Sequence, residues 1–210
     1  TLSAVGGATF DHGADILSVS WQEGTNYLAI GGCSSIDGYE VRVLEFNPDT
    51  KTLSALVGET FQHGEFAAIN SVAWQEGTNY LAIGGFEGTD GYEVRILEFD
   101  PDTKTLSALE GATFDHGADI LSVSWQEGTN YLAIGGGSSI DGYEVRILEF
   151  DPDTKTLSAL EGATFDHGPS SISSVAWQEG TNYHAIGGFE DADVYDDRIL
   201  VVDQNINTLS

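Results

Sequence analysis

The chain has no methionine, one cysteine, four prolines and only seven basic residues among 210. Each scarcity excludes something. A single thiol, Cys33, can form neither an internal disulfide framework nor a multi-cysteine metal site. Seven Lys and Arg against 34 Asp and Glu leave a net charge of −27, and the bases are spread evenly along the chain. Without a basic patch such a surface repels phosphate backbones, so nucleic acid is not expected as a partner. No run of about 18 apolar residues is present, so no membrane span is expected. The first residue is Thr1, so a leader, tag or longer parent is expected ahead of it, and the compartment stays open. Hydrophobic residues, at 40%, still suffice for a core.

What is plentiful is repetition. Trp-Gln-Glu-Gly-Thr-Asn-Tyr begins at Trp21, Trp74, Trp125 and Trp177, at intervals of 53, 51 and 52 residues. Thr-Leu-Ser recurs at Thr1, Thr52, Thr105, Thr156 and Thr208. The units of this single array read 1–51, 52–104, 105–155 and 156–207, with 208–210 starting an incomplete strand. The first and third differ at only five of 51 positions. Such identity points to recent amplification or to engineering, and it weakens repetition as a sign of selected function.

Within a unit the period is two. Ile16–Gln22, Tyr27–Gly32, Tyr39–Phe46 and Thr52–Leu56 read as strands, separated by Gly-Thr-Asn, Asp-Gly and Asn-Pro-Asp-Thr-Lys turns. No stretch combines helical spacing with caps. Four strands in a unit of about 50 residues make one blade of an all-β propeller. A β-helical solenoid fits less well, because its coils are shorter.

Each unit carries His-Gly before its first strand (His12, His63, His116, His167), then Ser-Val-Ser/Ala-Trp and Gly-Thr-Asn-Tyr-Leu/His-Ala-Ile-Gly-Gly. A turn aspartate (Asp37, Asp90, Asp141) and a Val-Arg-Ile/Val strand follow in the first three. On these residues the whole chain resembles the WD-repeat β-propeller family. The family's Trp-Asp pair is replaced by Leu44-Glu45, Leu97-Glu98, Leu148-Glu149 and Val202-Asp203, and its Gly-His order is reversed. The resemblance implies that each histidine hydrogen-bonds within its blade, with the turn aspartate as candidate partner.

Thr1–Val5 reads as an outer strand without a blade of its own, and it fits beside the last unit. One chain could close in this way as a four-bladed monomer, or two chains could exchange N-terminal strands in an eight-bladed homodimer. The dimer is preferred, because the family's blades usually pack in larger rings with a smaller angle between neighbours. Either closure hides two strand edges.

The remaining candidates divide between structure and chemistry. One histidine per blade is too dispersed to share a metal, and His184 merely replaces a strand leucine. Arg42, Arg95, Arg146 and Arg198, one per third strand, read as structural ion pairs rather than anion sites. Trp21, Trp74, Trp125 and Trp177 read as core between blades, although one aromatic per blade also suits sugar stacking. Asp-Pro-Asp-Thr-Lys lacks the glycine and distal glutamate of a calcium loop and reads as a plain turn. Glu190-Asp191-Ala192-Asp193, with Asp196 and Asp197, is the remaining oxygen-rich candidate for a cation. Cys33 aligns with Phe86, Gly137 and Phe189 and is not read as a nucleophile. No cofactor motif is present.

Differences between units gather before the first strand and between the second and third, at one end of the blades. The candidate binding residues there are Asp15, Glu65, Phe66, Phe86, Glu87, Asp119, Phe189, Glu190 and Asp191. An acidic face with aromatics suits a protein partner of basic surface. The function expected is a non-enzymatic protein-binding scaffold, or an amplified assembly with no selected ligand. The alternative is a small-ligand binder, lectin-like or cation-binding, with one site per blade.

Overall fold

A computed structural model describes residues 1–65, 67–189, 197–203 and 208–209. Blade 1 is β1 (Ile16–Trp21), β2 (Tyr27–Gly32), β3 (Val41–Asn47) and β4 (Thr52–Phe61). Blade 2 is β5 (Ile69–Trp74), β6 (Tyr80–Gly85), β7 (Val94–Asp100) and β8 (Thr105–Phe114). Blade 3 is β9 (Ile120–Trp125), β10 (Tyr131–Gly136), β11 (Val145–Asp151) and β12 (Thr156–Phe165). Blade 4 is β13 (Ile172–Trp177), β14 (Tyr183–Gly188), β15 (Asp197–Asp203) and β16 (Thr208–Leu209). Each sheet is an antiparallel meander in chain order. The described residues contain no helix. The fold is an all-β propeller array.

Alternation along each strand sends apolar side chains to both faces, so the core lies between blades rather than within one. Ala29, Val41 and Val43 of blade 1 pack with Ile69, Val72 and Trp74 of blade 2, and the same layer recurs at the next two junctions. Close approach depends on the first glycine ending each second strand. A Cβ on Gly31 would lie 2.6 Å from Val72, one on Gly84 2.6 Å from Val123, and one on Gly135 2.6 Å from Val175. No side chain fits there, so the next blade's valine rests directly on backbone.

The turns follow their sequence. Oδ1 of Asp100 accepts the backbone N–H groups of Asp102 and Thr103, and Asp151 does the same for Asp153 and Thr154. The Thr103 and Thr154 side chains first, and then these backbone N–H groups, hold both carboxyls below the usual range. Lys51, Lys104 and Lys155 close the turns at φ 58°, 59° and 55°, a left-handed conformation that costs a non-glycine residue about 1 kcal/mol.

Three expectations need correction. The fourth strand does not stop at Leu56. After Leu44 pairs with Ala55 the register jumps, and Arg42 pairs with Thr60 and Val41 with Phe61. The bulge carries β4 on to Phe61, the aromatic that covers the arginine of the next blade. Secondly, Thr1–Val5 forms no strand within this chain and its residues are exposed; Thr208–Leu209 starts the fourth place in blade 4 instead. Thirdly, the chain does not close on itself as a four-bladed monomer. Val19 of β1 is 60% exposed, Ile199 of β15 is 68% exposed, and a Cβ on Gly187 would meet nothing within 4 Å. The four blades form an open arc.

Candidate functional site

In blades 1 and 2 the repeated polar residues form a chain of contacts at one end of the blade. Nε of Arg42 donates to Nδ1 of His12 at 3.2 Å, and Nε of Arg95 donates to Nδ1 of His63 at 3.1 Å. A nitrogen that accepts carries no proton, so Nε2 holds it and donates to the Cys33 carbonyl at 3.1 Å and the Phe86 carbonyl at 2.8 Å. His116 makes the same bond to Gly137. The far side of the guanidinium meets the turn aspartate: Arg42 with Asp37 at 3.4 Å, Arg146 with Asp141 at 2.7 Å, and Arg95 with Asp90. The expected direct pairing of histidine with aspartate is therefore corrected, because arginine stands between them. Burial, opposed in part by the bond to the carbonyl, lowers the His63 and His116 pKa values and favours this neutral form. The Arg146 bond and burial act oppositely on Asp141, and the bond prevails, holding its carboxyl low. His167 is also buried, and Arg198 lies over the Phe165 ring at 5.6 Å.

Sequence reading missed a second set. Glu40, Glu93 and Glu144, two residues before Arg42, Arg95 and Arg146, are buried and accept the backbone N–H of His63, His116 and His167, just past β4, β8 and β12 in the connectors to the next blade, at 2.7, 2.7 and 2.6 Å. Burial raises the Glu93 pKa, and the His116 N–H partly offsets it. The signal was present as an invariant Tyr-Glu before Val-Arg in three units. His184 is fully buried against Trp177, with ring centroids 5.1 Å apart, and burial depresses its pKa to about 4.

The four tryptophans share one place. Together with Glu23, Glu76, Glu127 and Glu179 they line a single cavity of about 380 Å³. Loss of hydration and then the charges of Glu127 and Glu23 raise the Glu76 carboxyl. Trp74 and Trp125 are buried, Trp125 donates to the Ala73 carbonyl, and Trp177 donates to that of Ser124. Trp21 departs from the core expectation: it is 54% exposed, with no described blade packed across it. Among the described residues no three His, Cys, Asp or Glu side chains are placed to hold one metal ion.

The described candidate loop residues lie at one end of the array. The backbone N–H groups of Cys33, Phe86, Gly137 and Phe189 donate to the carbonyls of Asp15, Ala68, Asp119 and Ser171, tying each β2–β3-type loop to the segment before the first strand. Asp15, Glu65, Phe86, Glu87, Asp119 and Phe189 are all exposed there. Phe66, Glu190 and Asp191 lie outside the described residues, as does most of the acidic stretch that contains the latter two. Ile36 and Ile140, which sequence reasoning passed over, are 92% and 98% exposed on the same loops.

No family model and no curated protein matches the chain. Among solved structures it is similar to Sqt1 of Saccharomyces cerevisiae, with a TM-score of 0.61 and 11% identity over 85% of this chain and 46% of that one. Against Sqt1 from Chaetomium thermophilum the TM-score is 0.58 and the identity 17%, covering 83% and 41%. The likeness is one of fold. The chain spans less than half the length of either protein.

Proposed function

We propose that the chain is a non-enzymatic propeller scaffold that binds a protein partner of basic surface through its variable loop end. The observation that carries this reading is the pairing of almost fully exposed Ile36 and Ile140 with exposed Asp15, Asp37, Glu87, Asp90, Asp119 and Asp141 at that end. Apolar side chains supply contact area, and surrounding acids steer a cationic surface and fix its register. The reading includes self-association as a homodimer, in which Thr1–Val5 of one copy continues the outer strand that Thr208–Leu209 starts in the other.

A panel of purified basic proteins and a glycan array test the scaffold reading by biosensor. Binding of a basic protein that is lost in an Ile36→Ser/Ile140→Ser/Glu87→Lys variant, and kept in an Asp153→Asn variant at the opposite end, supports it. Saturable sugar binding with one site per blade overturns it. What favours that second reading is a pair of equivalent polar clefts of about 420 and 500 Å³, beside Asn26, Glu45 and Asn47 and beside Asn79, Glu98 and Asp100.

A further inference from the structure

We infer that the exposed faces of blades 1 and 4 are the two halves of one interface, covered head to tail by a second copy of this chain in a closed two-chain ring. The inference rests on the self-association proposed above and specifies the surface that carries it.

The internal junctions supply the template. At each of them a valine and an isoleucine from the first strand of one blade press on a bare glycine of the blade before it. Blade 1 presents the same pair, Val19 and Ile16, at 60% and 38% exposure, whereas Val123 and Ile120 of blade 3 are 5% and 0% exposed. Blade 4 presents the same glycine, Gly187, with nothing within 4 Å of its would-be Cβ. Beside it Ala176, Tyr183, Ala185 and Ile199 line an apolar hollow of about 460 Å³. Knob and seat lie at opposite ends of the same molecule, so the surface is complementary to itself only through another copy.

The polar groups match in register. Within the chain Oγ of Ser18, Ser71 and Ser122 accepts the N–H of Val72, Val123 and Val175 in the next blade, at 3.1, 3.0 and 3.1 Å. Ser174 of blade 4 holds the accepting position, and the Val19 N–H of blade 1 holds the donating one. Likewise Nε2 of Gln22 donates to the Thr78 carbonyl at 2.8 Å and to Oδ1 of Asn79 at 2.9 Å, and Gln75 and Gln126 repeat both bonds. Gln178 at one end and Thr25 and Asn26 at the other are the same groups. One contact is not reproduced: Lys104 and Lys155 reach Glu45 and Glu98 of the preceding blade, but Lys51 would face Val201. An exposed ion pair is worth little, and its loss does not decide association.

The test uses two substitutions that the lone arc tolerates. Val19→Asp alters an exposed knob, and Gly187→Val fills a seat that is open in the single chain. Sedimentation of the unaltered chain should show a species of twice the 22.4 kDa chain mass. Each variant alone should raise the dissociation constant about a hundred-fold or more, through a buried unpaired charge or an overfilled contact. An equimolar mixture of the two variants, one of them fluorescently labelled, should regain a heterodimer, because blade 1 of the Gly187→Val chain still fits blade 4 of the Val19→Asp chain. Dimers that survive both substitutions, or variants that fail to rescue one another, overturn the head-to-tail surface while leaving self-association standing. Species larger than two chains overturn ring closure. An unaltered chain that stays at one chain's mass overturns self-association itself.

Discussion

Blades 1 and 3 carry the same first strand, Ile-Leu-Ser-Val-Ser-Trp, and almost the same unit around it, yet they sit in different worlds. Trp125 is 9% exposed and Trp21 54%; Ile120 is fully buried and Ile16 is not. Identical residues adopt identical strands in both, so local structure follows from alternation and turn chemistry. Burial follows from the neighbour. A hydrophobic side chain in this array has no intrinsic environment of its own, and its energetic weight is set by whether another blade lies across from it.

That contrast can be broken position by position. The largest effect is expected at the tryptophans: Trp125→Ala should cost about 3–5 kcal/mol in urea unfolding, whereas Trp21→Ala should stay within about 0.5 kcal/mol when the chain is monomeric. Equal losses at the two sites would show that the faces are not differently covered. Next come the glycines. Gly135→Val forces a side chain into a contact already closed and should cost about 1–3 kcal/mol or more; Gly187→Val should leave the monomer's midpoint unchanged.

Glu59 sharpens the comparison by charge. It stands in β4 where blades 2 and 3 have buried Ala112 and Ala163, it is 1% exposed, and burial followed by the Glu45 charge pushes its carboxyl up to about 7 from 4.5. The folded state therefore holds a proton that the unfolded chain releases, and stability falls as pH rises through that window. Glu59→Ala should stabilise the protein by about 1–2 kcal/mol at pH 8, and the two midpoints should converge near pH 5. A pH-independent difference would remove the buried carboxyl as its cause. Arg95→Leu, which leaves His63 and Asp90 without their shared donor, should cost about 1–2 kcal/mol, with Arg42→Leu costing less because Asp37 is the more exposed aspartate. The smallest effect is at the lysines: Lys155→Met should cost at most about 1 kcal/mol and Lys51→Met nothing measurable in thermal melts. Chains of net charge −27 repel one another, so added salt should strengthen any pairing between them.

Much of this fold is legible in the residues themselves. The β-branched alternation of Ile-Leu-Ser-Val-Ser-Trp, the Gly-Thr-Asn turn and the Asp-Pro-Asp-Thr-Lys turn each dictate backbone through short-range sterics and hydrogen bonds. The continuation of β4 past Leu56 was hidden, because a bulge through Gly58 has no period to read. The position of arginine between histidine and aspartate was hidden for another reason: all three residues are repeated together, so spacing alone cannot order them. Glu40, Glu93 and Glu144 were hidden because a sequence does not display the backbone N–H donors that a connector folds against them. At the loop end, charge and aromatics were visible in the variable positions, but the exposure of Ile36 and Ile140 depends on which way a turn faces.

Those three buried glutamates have a consequence for how the array comes apart. One oxygen of each carboxylate accepts an N–H from the connector to the following blade, and the rings of His63 and His116 in those connectors are held by that blade's Phe86 and Gly137 carbonyls. Peeling one blade away would strand its neighbour's carboxylate in an apolar junction without a donor, a penalty added to the lost apolar contact. Repeat arrays commonly fray unit by unit, since each unit touches only its neighbours. Here the glutamates couple adjacent units, so unfolding should run as a single cooperative transition, and Glu93→Ala is the substitution expected to split it into two steps.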